Sequence, residues 1–410
     1  MGPDKPARPI VSCAKCGACT TVCPVYRVTG REELTARGRL HLLEKIVDNN
    51  PSGTSREIFS KCLLCGACRQ ACPRGIDLPT RVVENRCRFP NAAGRGRLAR
   101  SLTEKCLSSQ SIMTGLSRIL KVSAPLLTKL PADSGLRLKL GLTVSGKPDS
   151  PPLEHNDTKE ISTDNSAGTM LFTGCFARHL DQSITTATAK LISQKGSGAP
   201  NLVPEQNCCG LAFYGSGNLE EARRLARLNI SAFEGSDAPI VVLCGSCFSH
   251  LSGYGELLAD DDEWFPRATV FAARLQELSV FLTDRESRLE KRPSGQKKRR
   301  VVYHDPCHLR HLTGLKEAPR ELLAKMSRFE LIELAGSPQC CGFGGLFNLA
   351  HPDISKSIAE NLVEDIMALS PDLVTTTCTG CLIQLRHHLA ASDSRVRVLH
   401  LAQLLTGEAG

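Results

Sequence analysis

Apolar positions along the chain follow two spacings, one typical of amphipathic helices and one typical of short buried strands. In residues 32–48, Leu34, Leu40 and Leu43 recur at helical spacing, which predicts a helix. The same spacing predicts helices at three further places, residues 86–139, 219–233 and 354–366. Four short apolar runs predict strands, residues 169–173, 240–243, 301–304 and 373–376. Because these strands alternate with helices, the second half of the chain is predicted to be α/β with a mostly parallel sheet.

This second half is an internal repeat. Three pairs of matching cysteines show it: Cys175 and Cys307, 132 residues apart, Cys208 and Cys340, also 132 apart, and Cys244 and Cys378, 134 apart. In each copy the cysteines follow the predicted strand ends, where parallel sheets place their ligands. The repeat therefore predicts two tandem modules, each with a site at the ends of its strands.

The fold class predicted is a multidomain α+β chain in four segments. They are a helical, cysteine-dense unit at 1–85, a basic helical connector and polar linker at 86–166, a first module at 167–290 and a second module at 300–410. A charged run at 290–300 is most simply a solvated connector between the modules.

Twenty cysteines in 410 residues are far more than a core of this size needs. The start of the chain has no apolar leader, and no apolar run is long enough to span a membrane, so we expect a cytoplasmic protein. Thiols stay reduced in that compartment. Metal ligation is therefore favoured over disulfide pairing.

The formal charge of +9 does not indicate nucleic-acid binding. Thiolates that hold a cluster are negative and offset much of this excess. Aromatic residues make up 4% and do not interleave with the basic runs. The basic stretch at 86–139 is typical of a solvated helix that covers its neighbour, with docking to a membrane surface or a partner as the alternative.

Two runs in the first segment have the spacing of bacterial ferredoxins, which hold 4Fe-4S cubane clusters. They read Cys13-x2-Cys16-x2-Cys19-x3-Cys23-Pro24 and Cys62-x2-Cys65-x2-Cys68-x3-Cys72-Pro73. In two-cluster ferredoxins the fourth cysteine serves the other cluster. The predicted ligand sets are thus Cys13, Cys16, Cys19 and Cys72 for cluster 1, and Cys62, Cys65, Cys68 and Cys23 for cluster 2. Structural zinc is disfavoured, because it gives the third cysteine and the proline no role.

Each module contains five further candidate ligands. They are Cys175, Cys208, Cys209, Cys244 and Cys247 in the first CCG site, and Cys307, Cys340, Cys341, Cys378 and Cys381 in the second. Five soft donors exceed the need of one zinc ion or one cubane. Adjacent cysteines can instead ligate neighbouring irons of a larger cluster, although the spacing leaves the cluster type open.

This arrangement of a cysteine, a Cys-Cys-Gly triplet and a Cys-x-x-Cys pair resembles the CCG domain of heterodisulfide reductase subunits B and D. The same domain occurs in iron-sulfur subunits of glycolate oxidase, lactate dehydrogenase and anaerobic glycerol-3-phosphate dehydrogenase. Arg37-Gly38-Arg39-Leu40 resembles a PRGRI segment of the hydroxy-acid oxidases, with Ala36 in place of the proline. Asp305-Pro306-Cys307-His308 and Thr379-Gly380-Cys381 match their second copy. The chain is similar throughout to the glycolate oxidase iron-sulfur subunit family.

The resemblance implies two 4Fe-4S cubanes and one or two further noncubane 4Fe-4S clusters in the CCG modules. It implies a subunit that relays electrons from an FAD-linked flavoprotein, which oxidises glycolate or lactate, to a quinone or another carrier. No nucleotide or flavin motif occurs in the sequence, so FAD is expected only on the partner chain. We expect a cytoplasmic subunit, with peripheral contact at the inner membrane face as an additional possibility.

The alternative is a subunit like heterodisulfide reductase, which reduces or forms disulfides at a CCG cluster. The completeness of both five-cysteine sets favours this reading. No residue is singled out as catalytic. His308, beside Cys307, is a candidate iron ligand or proton carrier, but a hydrogen-bonding loop residue is the simpler interpretation.

Overall fold

The computed structural model describes residues 13–45, 52–89, 97–127, 168–283, 297–336, 339–392 and 396–407. The polar linker predicted at 143–166 and residues 290–296 of the charged run lie outside these ranges.

Six short helices build the N-terminal unit. They are α1 (Ala18–Thr21), α2 (Pro24–Thr29), α3 (Ala36–Lys45), α4 (Gly53–Ser60), α5 (Ala67–Gln70) and α6 (Leu78–Arg88). The helix predicted at 32–48 is divided into a 3-10 turn, Glu32–Leu34, and α3. Thr35 between them is extended, and its hydroxyl accepts from the Gly38 amide at 3.2 Å. A side chain that satisfies the free amides of a first turn starts a new helix there.

Two longer helices, α7 (Arg97–Ser108) and α8 (Gln110–Leu127), occupy the basic stretch and confirm the helices predicted in its described part. The Gln110 amide donates to the Gln206 carbonyl at 2.5 Å, and Arg224 donates to the Ser108 carbonyl at 3.1 Å. These bonds fix the two helices against the first module. Leu102 and Ile112 stay 63% and 48% exposed.

The first module is a four-stranded parallel sheet of order β2-β1-β3-β4. Its strands are β1 (Met170–Phe172), β2 (Asn201–Leu202), β3 (Ile240–Val242) and β4 (Leu275–Glu277). Its helices are Gly174–His179, Gln182–Ile192, Leu211–Ser216, Leu219–Phe233, Gly245–Leu251, Tyr254–Leu257, Trp264–Ala273 and Leu278–Thr283, with a π-helical turn at Ser193–Ser197. The parallel sheet and the helix predicted at 219–233 are confirmed.

The second module repeats this topology with the order β6-β5-β7-β8. Its strands are β5 (Arg299–Tyr303), β6 (Phe329–Ile332), β7 (Leu373–Thr376) and β8 (Arg397–His400). Its helices are Ala318–Ala324, Phe347–Ala350, Pro352–Ala368, Thr379–Ala391 and Leu401–Thr406, with a π-helical turn at Leu309–Thr313.

One boundary differs from the prediction, because β5 begins inside the run assigned to a solvated connector. Arg299 pairs with Phe329 in the neighbouring strand. The Arg300 amide donates to the Asp372 carboxylate at 2.7 Å. Basic side chains point away from the sheet while their backbone completes it, so composition alone misplaces the strand start.

The two modules share one continuous apolar core. Across their junction the Gly245 amide donates to the Thr377 carbonyl at 2.8 Å, and His400 Nε2 lies 2.9 Å from the Leu243 carbonyl. Among the described helices, none is both long and apolar enough to cross a bilayer.

Candidate metal centres

The two ferredoxin-type loops have the same backbone conformation. Lys15 and Leu64 have φ of 55° and 57°, and the glycines two positions later, Gly17 and Gly66, have φ of 80° and 79°. A left-handed conformation is unusual for lysine and leucine and occurs where the surroundings enforce it. Each loop thereby curls tightly and turns its cysteines toward one side.

The cysteines of these loops line two cavities. The first is lined by Cys13, Cys16, Cys19, Cys72 and also Cys68, and the second by Cys23, Cys62, Cys65 and Cys68. The structure thus brings together each of the two ligand sets expected from the sequence, with the fourth cysteine of each run in the other run's cavity. Cys68 lies between the two cavities.

The Arg-Gly-Arg segment places one cation beside each cavity. Arg37 lines the first cavity and donates to the Lys15 carbonyl at 3.2 Å. Arg39 lines the second, is 2% exposed, and donates to the carbonyls of Ile58, at 3.1 Å, Leu34, and Lys61, at 2.7 Å. These guanidinium groups offset the negative charge that thiolates would bring to the cavities.

Gly38 lets this segment approach the preceding turn. A Cβ on Gly38 would lie 2.6 Å from the Glu32 carbonyl oxygen, closer than any side chain tolerates. A second buried arginine, Arg86, donates to the carbonyls of Phe59 at 2.9 Å and Cys62 at 2.7 Å. Sequence reasoning missed Arg86, because a single arginine after a helical pattern carries no motif.

In each CCG module four of the five cysteines form two pairs in contact. In the second module the Sγ atoms of Cys307 and Cys340 are 3.7 Å apart, and those of Cys341 and Cys381 are 3.3 Å apart. The first module pairs the equivalent thiols, Cys175 with Cys208 and Cys209 with Cys247. All twenty cysteines are free, because disulfide sulfurs lie only about 2.0 Å apart.

The fifth cysteines of the two modules meet each other. Cys244 Sγ and Cys378 Sγ are 3.9 Å apart across the junction. Cys378 Sγ is also 3.1 Å from the Ser246 hydroxyl, which is 3.0 Å from His308 Nδ1. His308 is therefore a hydrogen-bonding residue of this junction, as the simpler interpretation of the sequence had it.

The ferredoxin-type unit meets the second module through its cysteines. Cys65, Cys307 and Cys340 line a common cavity. Cys65 and Cys340 also belong to one apolar cluster with Phe347 and Ile358. The order along the chain gave no hint of this, since the first module follows the ferredoxin-type unit in sequence.

The cysteine sites fit iron-sulfur clusters rather than neutral thiols. Burial, and then the neighbouring Cys307, raises the pKa of the Cys65 thiol well above its ordinary value. Eight of the CCG cysteines are buried in the same way: Cys208, Cys209, Cys244, Cys247, Cys340, Cys341, Cys378 and Cys381. Thiols this buried lose their protons when a soft cation replaces it, and an all-sulfur donor set is the one that iron-sulfur clusters use.

His304 is a candidate donor that sequence reasoning missed. One of its imidazole nitrogens and the Sγ atoms of Cys341 and Cys381 all lie within 4.8 Å of one another. The side chain is 1% exposed. The available signal was a histidine at the end of a predicted strand, three residues before Cys307, where the first copy has Phe172.

Comparison with known families agrees with these sites. Residues 10–76 match the 4Fe-4S dicluster domain, and residues 169–252 and 301–386 match the cysteine-rich CCG domain. The ferredoxin-type loops and both five-cysteine sets fall inside the matched ranges. The chain therefore carries several iron-sulfur clusters.

Similar proteins cover nearly the whole chain. A probable glycolate oxidase iron-sulfur subunit of Bacillus subtilis is 27% identical over 98% of this chain and 94% of its own length. The glycolate oxidase iron-sulfur subunit of Escherichia coli is 28% identical over 96% of this chain and 93% of its own length. Lactate utilization protein A of Shouchella clausii is 35% identical over 58% of this chain and 98% of its own length.

Proposed function

The chain belongs to the family of glycolate oxidase iron-sulfur subunits and lactate utilization protein A, and we propose that it is the electron-transfer subunit of a 2-hydroxy-acid dehydrogenase complex. A flavoprotein partner oxidises glycolate, lactate or a related acid. Bound 4Fe-4S clusters supply one-electron transfer at the cysteine sites. The residues of this chain decide where those sites lie and how they adjoin.

One observation carries the proposal: the four cysteine sites adjoin in a single series. Cys68 lines both ferredoxin-type cavities. Cys65 shares a cavity with Cys307 and Cys340 of the second module. Cys378 of that module lies 3.9 Å from Cys244 of the first. Such a series suits transfer of electrons from one end of the molecule to the other.

We assign the ligands as the sequence predicted them. Cys13, Cys16, Cys19 and Cys72 hold cluster 1, and Cys62, Cys65, Cys68 and Cys23 hold cluster 2. The five cysteines of each CCG module hold one noncubane cluster. The cavity linings and thiol contacts described above support this assignment, which iron and sulfide analysis of single-cysteine variants tests.

The ends of the series are the places for partners. Cys16 is exposed at one end. At the other, Cys175 and Cys208 line a cavity with Gln110 and Met113 of α8, beside the exposed Leu102 and Ile112. The flavoprotein and the acceptor, a quinone or another carrier at the cytoplasmic face of the membrane, bind at these two ends.

The test is reduction by substrate. Anaerobically purified chain is mixed with an FAD-linked oxidase subunit from the same cell, and bleaching of its visible iron-sulfur absorbance is followed after addition of glycolate or lactate. We expect bleaching only when both the flavoprotein and a hydroxy acid are present. Absence of bleaching with every flavoprotein that co-purifies with the chain would contradict the proposal.

The complete cysteine sets also favour a second candidate, disulfide chemistry at a CCG site like that of heterodisulfide reductase. Only Cys175 and Cys307 of the ten CCG cysteines are partly exposed, so a disulfide would have to reach the iron beside one of them. This candidate predicts that a thiol alone changes the EPR signal of the oxidised chain. The relay predicts no change without the flavoprotein.

A further inference from the structure

The two CCG sites differ at one buried position. The strand registers Met170 to Ile240 in the first module and Val302 to Val374 in the second are equivalent under the repeat. The same offset places His304 where the first module has Phe172. Phe172 is fully buried and packs on Phe233, with ring centroids 5.9 Å apart. A histidine replaces an apolar core residue there.

The surroundings of His304 do not satisfy its imidazole. Nε2 is buried and has no hydrogen-bond partner among the residues that the structure describes. A buried polar atom without a partner costs about 1–3 kcal/mol, so such an atom usually has a partner that protein atoms alone do not show. The ring lies against the Cys341 and Cys381 thiols, which are 3.3 Å apart. No other polar demand explains a histidine at this place.

We propose that His304 is a nitrogen ligand of the iron held by Cys341 and Cys381, so that the second CCG site has five thiolates and one imidazole while the first has thiolates alone. Thiolate and neutral imidazole both bind iron, and the three donor atoms already lie within 4.8 Å of one another. Phe172 supplies no donor to the first site. His304 thus makes the two repeats chemically distinct.

The expected consequence is a difference in reduction potential. Imidazole is a neutral donor, and histidine in place of thiolate raises the potential of iron-sulfur centres. The second site, which adjoins the ferredoxin-type unit, therefore has a higher potential than it would have with cysteines alone. This inference rests on the proposed cluster at the second site but not on the substrate of the complex.

Pulsed EPR on the full chain, loaded with its clusters, tests the assignment. The chain is prepared with isotope-labelled histidine and with unlabelled histidine, and nitrogen couplings to the cluster spins are compared. We expect a strong histidine coupling that is lost in His304→Phe, which reproduces the first module's residue. His304→Asn serves as a second variant of smaller volume. The midpoint potential of the affected site falls in both.

His308→Gln is the matched control, because His308 is also buried beside Cys307 but hydrogen-bonds Ser246. The coupling persists in that variant. A coupling that survives His304→Phe, or one no stronger than a hydrogen-bonded nitrogen gives, would overturn the role of His304 while leaving the relay intact. Lack of iron and sulfide at the second site would overturn both.

Discussion

The first and second CCG modules have the same sheet order and the same cysteine pairs, yet they have different neighbours. The second module shares a cavity and an apolar cluster with Cys65 of the ferredoxin-type unit. The equivalent face of the first module is covered by α8, with Gln110 and Met113 beside Cys175 and Cys208. One repeat thus lies inside the series of sites and the other at its end.

The loops after the Cys-Cys-Gly triplets reflect these different neighbours. The second copy has Gly344, with φ of 55°, where the first has Ala212. A Cβ at Gly344 would collide with Leu63 Cδ2 of the ferredoxin-type unit and would lie 2.8 Å from Phe347 Cβ. The repeat therefore keeps its cysteines and changes the positions that touch another unit.

The most damaging way to separate the modules is to remove one CCG site at a time. Cys341→Ser and Cys209→Ser each replace a soft donor with a hard one, and each should cost about four iron atoms. Electron transfer between the ferredoxin-type unit and the first module should fall to background in Cys341→Ser, because the site between them is gone. Iron analysis and freeze-quench EPR measure both effects.

In Cys209→Ser, by contrast, transfer between the ferredoxin-type unit and the second module should persist. Equal loss of this transfer in both variants, with the remaining clusters intact, would mean that the two modules do not lie in series.

A smaller effect is expected from the loop that seats the ferredoxin-type unit. Gly344→Ala adds a left-handed alanine and an overpacked contact with Leu63, together costing about 3 kcal/mol. Ala212→Gly, at the equivalent place in the first module, should cost less than about 1 kcal/mol. Thermal unfolding of the anaerobic proteins compares them. Equal losses would show that the two loops have equivalent packing.

The smallest effect concerns the ends of the fourth strands, where the repeats carry opposite buried groups. Val242 pairs with Glu277 and Thr376 with His400 at matching registers. Burial raises the pKa of Glu277 to about 7 and lowers that of His400 to about 4. Both side chains are therefore neutral near pH 5.5.

Because the folded pKa of Glu277 lies above its unfolded value near 4.5, its contribution to stability is complete below pH 4.5 and is lost as the pH rises to about 7. Glu277→Gln should then be more stable than the parent at pH 8, relative to pH 5, by on the order of 2 kcal/mol. Denaturation at both pH values measures the difference. No change between them would mean that Glu277 stays ionised in the folded protein.

Much of the fold could be predicted because its signals are local or periodic. The helix at Leu219–Phe233 has an amphipathic pattern, and Asn218 caps it by accepting from the Glu221 amide at 3.2 Å. The cysteine spacing predicted which residues share a cavity. Equal offsets between the repeats predicted two sheets of the same topology.

What could not be predicted depends on contacts between distant segments. The meeting of Cys244 with Cys378 and of Cys65 with Cys307 follows from how whole units pack, which no spacing records. His304 escaped notice because it stands on a strand and outside every cysteine motif. Its importance shows only when the fold brings Cys341 and Cys381 beside it.

The central claim is that the second CCG module lies between the ferredoxin-type unit and the first CCG module. Magnetic interaction between cluster spins, measured by EPR on the reduced chain, tests it most directly. We predict that splitting of the ferredoxin-type signals by a CCG site persists in Cys209→Ser and vanishes in Cys341→Ser. Splitting that vanishes in Cys209→Ser and persists in Cys341→Ser would contradict this order.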